Sequence, residues 1–355
     1  MTVVGARPQF IKAALVSRAL QQRTTIREVL VHTGQHYDPN MSDIFFQELG
    51  MSPPDHHLGI GGGGHGRQTG RMLEALEVTL LAEKPDAVLV YGDTNSTMAA
   101  ALAAAKLHVP VIHVEAGLRS FNMAMPEEIN RIVTDRVSSL LFTPTAEADH
   151  NLAREGVDAR RVHRVGDVMY DAARLLATSG DDSRSIRPRA PYVLATIHRA
   201  ETTDEFTRLA STVAGLRRLA RRFSVVLPLH PRTRAAVDGF EISLQGIDVR
   251  GPLGYRDMAA LESAAAVIVT DSGGVQKEAF FHGVPCVTVR NETEWVELVH
   301  GGWNRLASPD SADAIESAVD AAMSAPYPAR PLLYGDGTAS VRIADILASN
   351  LSAAP

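Results

Sequence analysis

The chain has 355 residues, 45% of them hydrophobic and 21% charged, a balance typical of soluble enzymes rather than of disordered or fibrous proteins. Its formal charge of −6 gives no basic field for nucleic acid or an anionic membrane, so we expect neither as a partner. A single cysteine, Cys286, excludes an internal disulfide and suits a reducing compartment. The sequence shows no apolar run of the ~20 residues that span a bilayer and no leader-like segment, so we expect a cytoplasmic protein.

Short apolar segments alternate with longer amphipathic or alanine-rich segments along the first half of the chain. This alternation predicts an α/β fold in which crossover helices join parallel strands. The predicted strands are Thr2–Val4, Glu28–His32, Ala87–Tyr91, Val111–Val114, Leu140–Thr143 and Arg161–Val165. The predicted helices are Ile11–Gln21, Gln68–Leu81, Ser96–Leu107, Glu127–Ser138 and Ala146–Glu155.

A polar, proline-containing segment, Ser179–Pro191, predicts an interdomain linker, and the alternation restarts after it. The second set of predicted strands is Tyr192–Thr196, Ser224–Pro228, Asp248–Arg250, Ala265–Thr270 and Val284–Val289. The second set of predicted helices is Asp204–Arg221, Arg256–Ser263, Gly274–His282, Ser311–Ser324 and Thr338–Asn350. We therefore predict one doubly wound domain over residues 1–180, another over 190–335, and a C-terminal helix within 336–355 that packs back on the first domain. A cleft between the two domains is the expected ligand site.

Two glycine-containing segments have the spacing of nucleotide-binding loops. Gly59–Gly66 contains G-x-G-x-x-G, but it follows the polar pair His56 and His57 instead of a strand and lacks the acidic residue of a dinucleotide site. Thr270–Gly274 closes a predicted buried strand and opens a helix, where backbone N–H groups and the helix dipole attract anions. A serine N-cap would use the same residues. Because ligands of α/β sheets bind at the carboxyl ends of strands, we favour a phosphate site.

Basic side chains also follow predicted strands in both halves of the chain. They are Arg7 and Lys12 after Thr2–Val4, His198 and Arg199 after Tyr192–Thr196, and His230 and Arg232 after Ser224–Pro228. Each of them alone is compatible with an ordinary solvated or core-satisfied side chain. Together they predict a cleft that binds a diphosphate without requiring Mg²⁺.

Carboxylates follow the central strands of the first half. Asp93 follows Ala87–Tyr91, and Glu115 follows Val111–Val114. Glu127 and Glu128 open the next predicted helix, where a glutamate often only complements the helix dipole, so we expect one of the two to be structural. An ionisable group directly after an apolar strand, such as Glu115, needs a partner. Acids near a phosphate cleft predict proton-transfer chemistry.

Signatures of other enzyme classes are absent from the sequence. It has no H-E-x-x-H, C-x-x-C or G-x-S-x-G motif, and its 13 histidines show no zinc-ligand spacing. We therefore expect no metal and, without a dinucleotide fingerprint, no cofactor.

A series of ordered segments makes the sequence resemble the non-hydrolysing UDP-N-acetylglucosamine 2-epimerases along nearly its whole length. The segments are Gly5–Lys12 (GARPQFIK), Thr33–His36 (TGQH), Gly92–Thr97 (GDTNST), His113–Arg119 (HVEAGLR), Pro126–Arg131 (PEEINR), Val165–Val168 (VGDV), Thr196–Glu201 (TIHRAE), Leu229–Thr233 (LHPRT), Thr270–Glu278 (TDSGGVQKE) and Thr293–Trp295 (TEW). The resemblance implies a glycosyltransferase-B type fold with two Rossmann-like domains, a UDP-sugar substrate, UDP binding and a homodimer.

The resemblance also implies roles for individual residues. It makes Asp93, Glu115 and Glu127 the acid/base carboxylates. Further residues would bind the pyrophosphate, the sugar or the rest of UDP, with His198 also in the catalytic set: Arg7, Lys12, Arg131, His198, His230, Ser272, Gly273, Gly274 and Glu278. An activating nucleotide sugar would bind near Gln35, His36, Arg67 and Gln68.

Three alternatives to a non-hydrolysing epimerase share these features. A glycosyltransferase would share the fold and the nucleotide turn, but it needs only one catalytic base and an acceptor groove. A hydrolysing epimerase would release UDP, and a nucleotide-sugar sensor would have little use for three acids. The segments Phe121–Glu128 and Thr293–Trp295 resemble a branch that contains both N-acetylglucosamine epimerases and epimerases of UDP-2,3-diacetamido-2,3-dideoxy-glucuronic acid. Because three acids would repel a uronate, and Ala124 provides no cation, the sequence favours neutral UDP-N-acetylglucosamine, although Arg119 or Arg131 could still bind a uronate.

Overall fold

The computed structural model describes residues 1–35, 51–177, 186–188, 191–324 and 330–351. The chain divides into two compact units, Met1–Arg174 with Leu332–Pro355, and Leu175–Pro331. Each unit contains one parallel sheet with helices, so the predicted α/β class is confirmed. Most of the predicted linker Ser179–Pro191 lies outside the described residues.

The first unit is built on a seven-stranded parallel sheet. Its strands are β1 (Thr2–Val4), β2 (Leu30–His32), β3 (His56–His57), β4 (Val88–Tyr91), β5 (Val111–Val114), β6 (Leu140–Thr143) and β7 (Val162–Arg164). Its helices are α1 (Arg7–Gln21), α2 (His65–Glu83), α3 (Asn95–Lys106), α4 (Pro126–Val137), α5 (Ala146–Arg154) and α6 (Val168–Ala177). The spatial strand order is β3-β2-β1-β4-β5-β6-β7.

The second unit repeats this architecture with a six-stranded parallel sheet. Its strands are β8 (Tyr192–Thr196), β9 (Ser224–Pro228), β10 (Asp248–Arg250), β11 (Val267–Thr270), β12 (Cys286–Val289) and β13 (Asn304–Ala307). Its helices are α7 (Ala200–Thr203), α8 (Phe206–Leu219), α9 (Pro231–Gly239), α10 (Tyr255–Ala264), α11 (Gly273–His282), α12 (Val296–His300) and α13 (Ala312–Ser324). The spatial order is β10-β9-β8-β11-β12-β13.

Both sheets reverse their winding direction next to their first strand. In the first sheet the reversal lies between β1 and β4, and in the second it lies between β8 and β11. A crevice opens outside the carboxyl ends of the strands at such a reversal, and ligands of doubly wound folds bind there. The segments after β1, β4, β8 and β11 are therefore the first places to look for a site.

The central strands are buried throughout and mostly apolar, as expected where helices cover both faces of a sheet. All four residues of β4, β5, β6, β11 and β12 are buried, as expected for parallel sheets. In the first core, Met72 and Leu76 of α2 pack with Val88 and Val90 of β4. Each fully buried side chain of this size contributes about 1.5–3 kcal/mol relative to an exposed one. No helix in the described parts of the chain has the length and apolarity to cross a membrane.

Most of the predicted strands agree with the structure, and the differences lie at the sheet edges. Thr2–Val4, Val111–Val114, Leu140–Thr143, Tyr192–Thr196, Ser224–Pro228 and Asp248–Arg250 are confirmed with the same bounds. The prediction that His56 and His57 lie outside any strand is wrong, because they pair with Val31 and His32 as edge strand β3. Helix α2 then begins at His65, so the glycine-rich segment ends inside a helix.

Two of the elements missed by the sequence reading, α9 and β13, have weak hydrophobic patterns, whereas the missed helix α6 buries Val168, Met169, Ala172 and Ala173. Helix α9 buries only Thr233 and Val237, and edge strand β13 reads Asn-Arg-Leu-Ala with two residues not fully buried. Helix α6 was also not predicted. Periodicity identifies elements that bury a face, so sheet edges and lightly packed helices escape it.

The C-terminal helix α14 (Ala339–Leu351) belongs to the first unit. It packs against α1, and Arg23 of the segment after α1 pairs with Asp345 at 2.5 Å. At its start, the carboxylate of Asp171 accepts hydrogen bonds from the backbone N–H groups of Ala339 (3.1 Å) and Ser340 (2.8 Å). These bonds satisfy N–H groups that a helix start leaves without intrahelical partners.

Stability of the second unit should depend on the protonation of His282 at the end of α11. Burial, with help from positive Arg330, lowers the pKa of His282 to about 4 from 6.5. Glu262 Oε2 lies 3.7 Å from His282 Nε2, too far for a hydrogen bond that would oppose this effect. The unfolded chain therefore takes up this proton at a higher pH than the folded protein. Between about pH 6.5 and about pH 4, we expect acid to remove about 3 kcal/mol of stability through this residue.

Urea titrations of the wild type and His282→Gln at about pH 7 and about pH 4.5 measure this effect. The variant should lose less stability than the wild type on acidification, because glutamine does not titrate. Equal losses in the two proteins would show that His282 does not contribute to the acid sensitivity.

Candidate active site

The carboxyl ends of β1, β4 and β5 bring a lysine and two carboxylates together in the first unit. Lys12 lies one turn into α1, which follows β1, and its Nζ is in direct contact with Glu115 Oε2. Gly92 lies between β4 and Asp93, and a Cβ at this position would lie 3.3 Å from Glu115 Oε2 and 3.7 Å from Lys12 Nζ. A glycine here therefore gives the ion pair its space. Arg7 begins α1 at the same end of the sheet.

Glu115 has an unusual backbone for a non-glycine residue. Its φ is +71°, in the left-handed region, which few residues with a side chain adopt outside strained or functional positions. The backbone N–H groups of Glu115 and Ala116 both donate to the Phe142 carbonyl of β6 at 3.0 Å. These bonds fix the turn, and the carboxylate, with its side chain 12% exposed, is directed to Lys12.

Asp93 is held by an arginine from the neighbouring helix. Arg131 of α4 donates to Asp93 Oδ2 at 2.6 Å and to Glu128 Oε2 at 2.8 Å. The amide of Asn130 donates to the Asp93 carbonyl at 2.8 Å. The Asp93 side chain is 32% exposed, whereas that of Arg131 is 7% exposed. Asp93 thus keeps access to solvent while its charge is balanced from the protein side.

The two glutamates at the start of α4 have different surroundings. Glu128 is buried and accepts hydrogen bonds from the backbone N–H groups of Ser120 (3.0 Å) and Phe121 (2.9 Å), besides that from Arg131. Burial alone would raise the pKa of Glu128, but the Ser120 and Arg131 hydrogen bonds outweigh it and lower the pKa. Glu127 is only half-buried. Glu128 is therefore held by backbone N–H groups and an arginine, whereas Glu127 is the more accessible of the two glutamates.

In the second unit, Asp271 organises the ends of β8 and β11. It is fully buried, and its carboxylate accepts hydrogen bonds from the backbone N–H groups of His198 and Arg199 at 3.0 Å. The ring nitrogen Nδ1 of His198 lies 3.5 Å from Asp271 Oδ1. The His198 and His230 rings are 5.5 Å apart, and His230 caps α9 by accepting from the Arg232 N–H at 3.1 Å.

The turn Ser272–Gly274 starts helix α11 after β11. The Ser272 hydroxyl accepts from the Val275 N–H at 3.4 Å, which is a serine N-cap. Gly273 has no room for a Cβ, because the Glu294 carboxylate lies against it, and Glu294 is paired with Arg290 at 2.9 Å. Glu278 lies further along α11 and is largely buried. The Arg290–Glu294 pair was missed by motif reading, although Glu294 is part of the TEW segment.

The residues predicted for an activator site contact the start of α3. Gln35 Oε1 accepts from the Ser96 N–H (3.0 Å) and hydroxyl (2.7 Å). Gln68 Oε1 accepts from the Asn95 side chain at 2.8 Å, and Arg67 is exposed. His36 lies outside the described residues. Gln35 and Gln68 therefore contact the first turn of α3, at Ser96 and Asn95 respectively. These two residues lie three and two positions after Asp93.

No group of three or more histidine, cysteine, aspartate or glutamate side chains in the described ranges is arranged to hold a metal ion. The candidate residues form two clusters: Lys12, Asp93, Glu115 and Arg131 in the first unit, and His198, His230 and Asp271 in the second. Their functional groups are carboxylates, histidines, a lysine and an arginine.

Comparisons with known proteins find a matching family model, relatives in sequence and a similar solved structure. The family model of the UDP-N-acetylglucosamine 2-epimerases matches residues 18–348. A Pseudomonas aeruginosa protein, UDP-2,3-diacetamido-2,3-dideoxy-D-glucuronate 2-epimerase, is 52% identical over 98% of this chain and 99% of its own. A Methanococcus maripaludis protein, a UDP-N-acetylglucosamine 2-epimerase homolog, is 46% identical over 98% of both. The crystal structure of Methanocaldococcus jannaschii UDP-GlcNAc 2-epimerase with UDP-GlcNAc and UDP has a TM-score of 0.91 and 40% identity, covering 98% of this chain and 99% of that one.

Proposed function

Since the chain belongs to the UDP-N-acetylglucosamine 2-epimerase family, whose members are isomerases, we propose that it reversibly inverts carbon 2 of a UDP-linked 2-acetamido sugar. The observation that carries this proposal is the pair of balanced carboxylates in the first unit, Glu115 with Lys12 and Asp93 with Arg131. Two acid/base groups at neighbouring strand ends are what a reaction with two proton transfers needs.

The chemistry follows from the low acidity of the carbon 2 proton. No carbonyl is adjacent to carbon 2 in the ring, so the proton leaves only if a leaving group departs from carbon 1 as well. A carboxylate removes the proton, the C–H electron pair becomes the C1=C2 double bond, and the C1–O bond breaks with its electrons going to UDP. The products are UDP and a 2-acetamido glycal. Re-addition of UDP to carbon 1 and of a proton to the other face of carbon 2 gives the epimer.

We assign the steps to the two clusters as follows. Asp93, Glu115 and Glu127 transfer protons, with Lys12 and Arg131 stabilising the charged carboxylates and the departing diphosphate. The turn Ser272–Gly274 supports binding of UDP through its N–H groups, with Glu278 along the same helix. His198, fixed by Asp271, is the histidine available for catalysis. We also propose that the protein binds UDP, forms a homodimer, and binds an activating nucleotide sugar near Gln35, His36, Arg67 and Gln68.

For the sugar, we favour the uronic acid UDP-2,3-diacetamido-2,3-dideoxy-D-glucuronate. Unpaired acids would repel its carboxylate, but Asp93 and Glu115 are each paired with a cation, which removes most of that repulsion. A relative that is 52% identical over nearly its full length is named for this substrate.

UDP-N-acetylglucosamine is the second candidate because a solved relative at 40% identity contains UDP-GlcNAc and UDP. Arg119 is paired with Asp135 and Glu155, and Arg131 is paired with Asp93 and Glu128. The pairing of these two arginines therefore does not itself favour a uronate over the neutral sugar.

Incubation of the protein with each nucleotide sugar in D₂O, followed by NMR, tests both the reaction and the substrate. We expect two epimers, deuterium at carbon 2, and a higher kcat/KM for the uronate, without added NAD or metal. Product that keeps its carbon 2 hydrogen would contradict the elimination mechanism, and a preference for UDP-N-acetylglucosamine would select the second candidate. Free sugar with stoichiometric UDP would identify a hydrolysing epimerase instead.

A further inference from the structure

The two turns that carry Asp93 and Glu115 both contain left-handed backbone. Gly92, Glu115 and Gly117 have φ values of +62°, +71° and +80°. Glycine adopts such values freely, but a residue with a side chain, such as Glu115, keeps them only where surrounding contacts hold it. Since proton transfer depends on the placement of both carboxylates, the groups that hold these turns are part of the reaction's geometry.

One buried histidine reaches both turns. His113 lies in β5, is fully buried, and its Nε2 lies 2.7 Å from the Gly92 carbonyl oxygen. Its Nδ1 lies 2.6 Å from Asp135 Oδ1 of α4. The other carboxylate oxygen of Asp135 accepts from the Gly117 N–H at 3.1 Å. The connection therefore runs from the Asp93 turn through His113 and Asp135 to the Glu115 turn.

The direction of these hydrogen bonds follows from their partners. A carbonyl oxygen only accepts, so His113 Nε2 donates to Gly92. Asp135 is the acceptor for Nδ1. Burial alone would raise the pKa of Asp135, but His113 and Arg119 outweigh burial and lower it. Arg119 also lies 2.8 Å from Asp135 Oδ2 and forms a bidentate pair with Glu155.

We propose that His113 is a positioning residue that fixes the Asp93 turn relative to the Glu115 turn through its hydrogen bond to the Gly92 carbonyl. This proposal rests on the proposed epimerase function, because it assigns the spacing of its acid/base carboxylates to one side chain. His113 touches neither carboxylate, and it acts on them only through the backbone.

Two substitutions of His113 separate its two contacts. Glutamine places an amide N–H near the position of Nε2 and can keep the bond to Gly92, while asparagine places one near Nδ1 and keeps only the bond to Asp135. We expect His113→Asn to lower kcat for epimerisation about 10²-fold, since displacing a catalytic group by about 1 Å has effects of that size. His113→Gln should stay within about tenfold of the wild type. The UDP dissociation constant should change less than kcat in both variants, because the Ser272–Gly274 turn assigned to UDP lies in the second unit.

A purely structural role for His113 predicts a different pattern of kcat in the two variants. If His113 only stabilised the fold, both variants would have a lower melting temperature, and kcat would fall equally in both or further in His113→Gln. Either of these two patterns in kcat would overturn the proposal. A neutron structure of the wild type gives a test that needs no variant. Deuterium on Nε2 directed to the Gly92 oxygen is expected, and a bare Nε2 would also overturn the proposal. If the wild type does not epimerise, the proposed function fails, while the neutron result still decides whether His113 holds Gly92.

Discussion

Glu115→Gln is expected to lower kcat for epimerisation by about 10²- to 10⁴-fold, the range typical for loss of a positioned acid/base group. Glutamine has nearly the same size, but it neither takes up nor releases a proton at neutral pH. Its side chain would still reach Lys12, so the fold should be preserved. Steady-state kinetics and calorimetric titration with UDP would show a large loss of kcat with little change in UDP affinity.

Glu147→Gln provides the control for this substitution. Glu147 lies in the first turn of α5 in the same unit, and its side chain is 44% exposed. This variant should keep wild-type kinetics. If Glu115→Gln retained more than about a tenth of the wild-type kcat, Glu115 would not be an acid/base group, and Asp93 and Glu127 would have to account for both proton transfers.

The sequence located the acid/base candidates because strand ends can be read from local patterns. Glu115 follows an apolar run, Val111–Val114, that is a strand with those bounds. The carboxyl end of a central parallel strand is a functional position in any doubly wound sheet, so the residue could be chosen without knowing its partners. The buried strands of both sheets were predicted for the same reason, since their apolar content is continuous.

The contacts of these residues could not be predicted in the same way. Lys12 was expected to bind phosphate, but in the structure it pairs with Glu115, 103 residues away. Glu128 and Glu127 are neighbours with the same side chain, and it is the tertiary contacts of Glu128 with the Ser120 and Phe121 N–H groups and with Arg131 that distinguish them. The backbone of Phe121, whose N–H group donates to Glu128, is left-handed with φ +59°, which the sequence does not indicate either. Partners distant in sequence are set by tertiary packing, which no local pattern encodes.

Asp135 is a further residue that no pattern in the sequence singles out. It lies in the second half of α4, where it reads as one more polar position of an amphipathic helix. The structure places its side chain, 1% exposed, between the His113 ring and the Arg119 guanidinium. Removing one partner from a buried ionic network leaves the others without compensation, which is far more costly than losing a surface pair.

Asp135→Asn should therefore lower the free energy of unfolding by about 3–5 kcal/mol, measured by urea denaturation at neutral pH. The asparagine amide would direct its NH2 group to His113 Nδ1 and its oxygen to the Gly117 N–H and Arg119, but without a negative charge it would leave the arginine charge paired only with Glu155. Asp158→Asn is the comparison, because Asp158 also pairs with an arginine, Arg160, but at the surface. It should cause no measurable loss, since exposed ion pairs contribute little.

The pH dependence gives this last prediction a second test. The pKa of Asp135 is lowered in the folded protein from an ordinary value of 3.8, so its contribution is fully present above that value and is lost only as the pH falls through the lower folded pKa. The stability difference between the wild type and Asp135→Asn should then be constant from neutral pH to about pH 5 and narrow in stronger acid. A small difference at neutral pH, comparable to that of Asp158→Asn, would mean that the network around His113 does not depend on the Asp135 charge. His113 would then have to hold the Gly92 turn by its hydrogen bond alone.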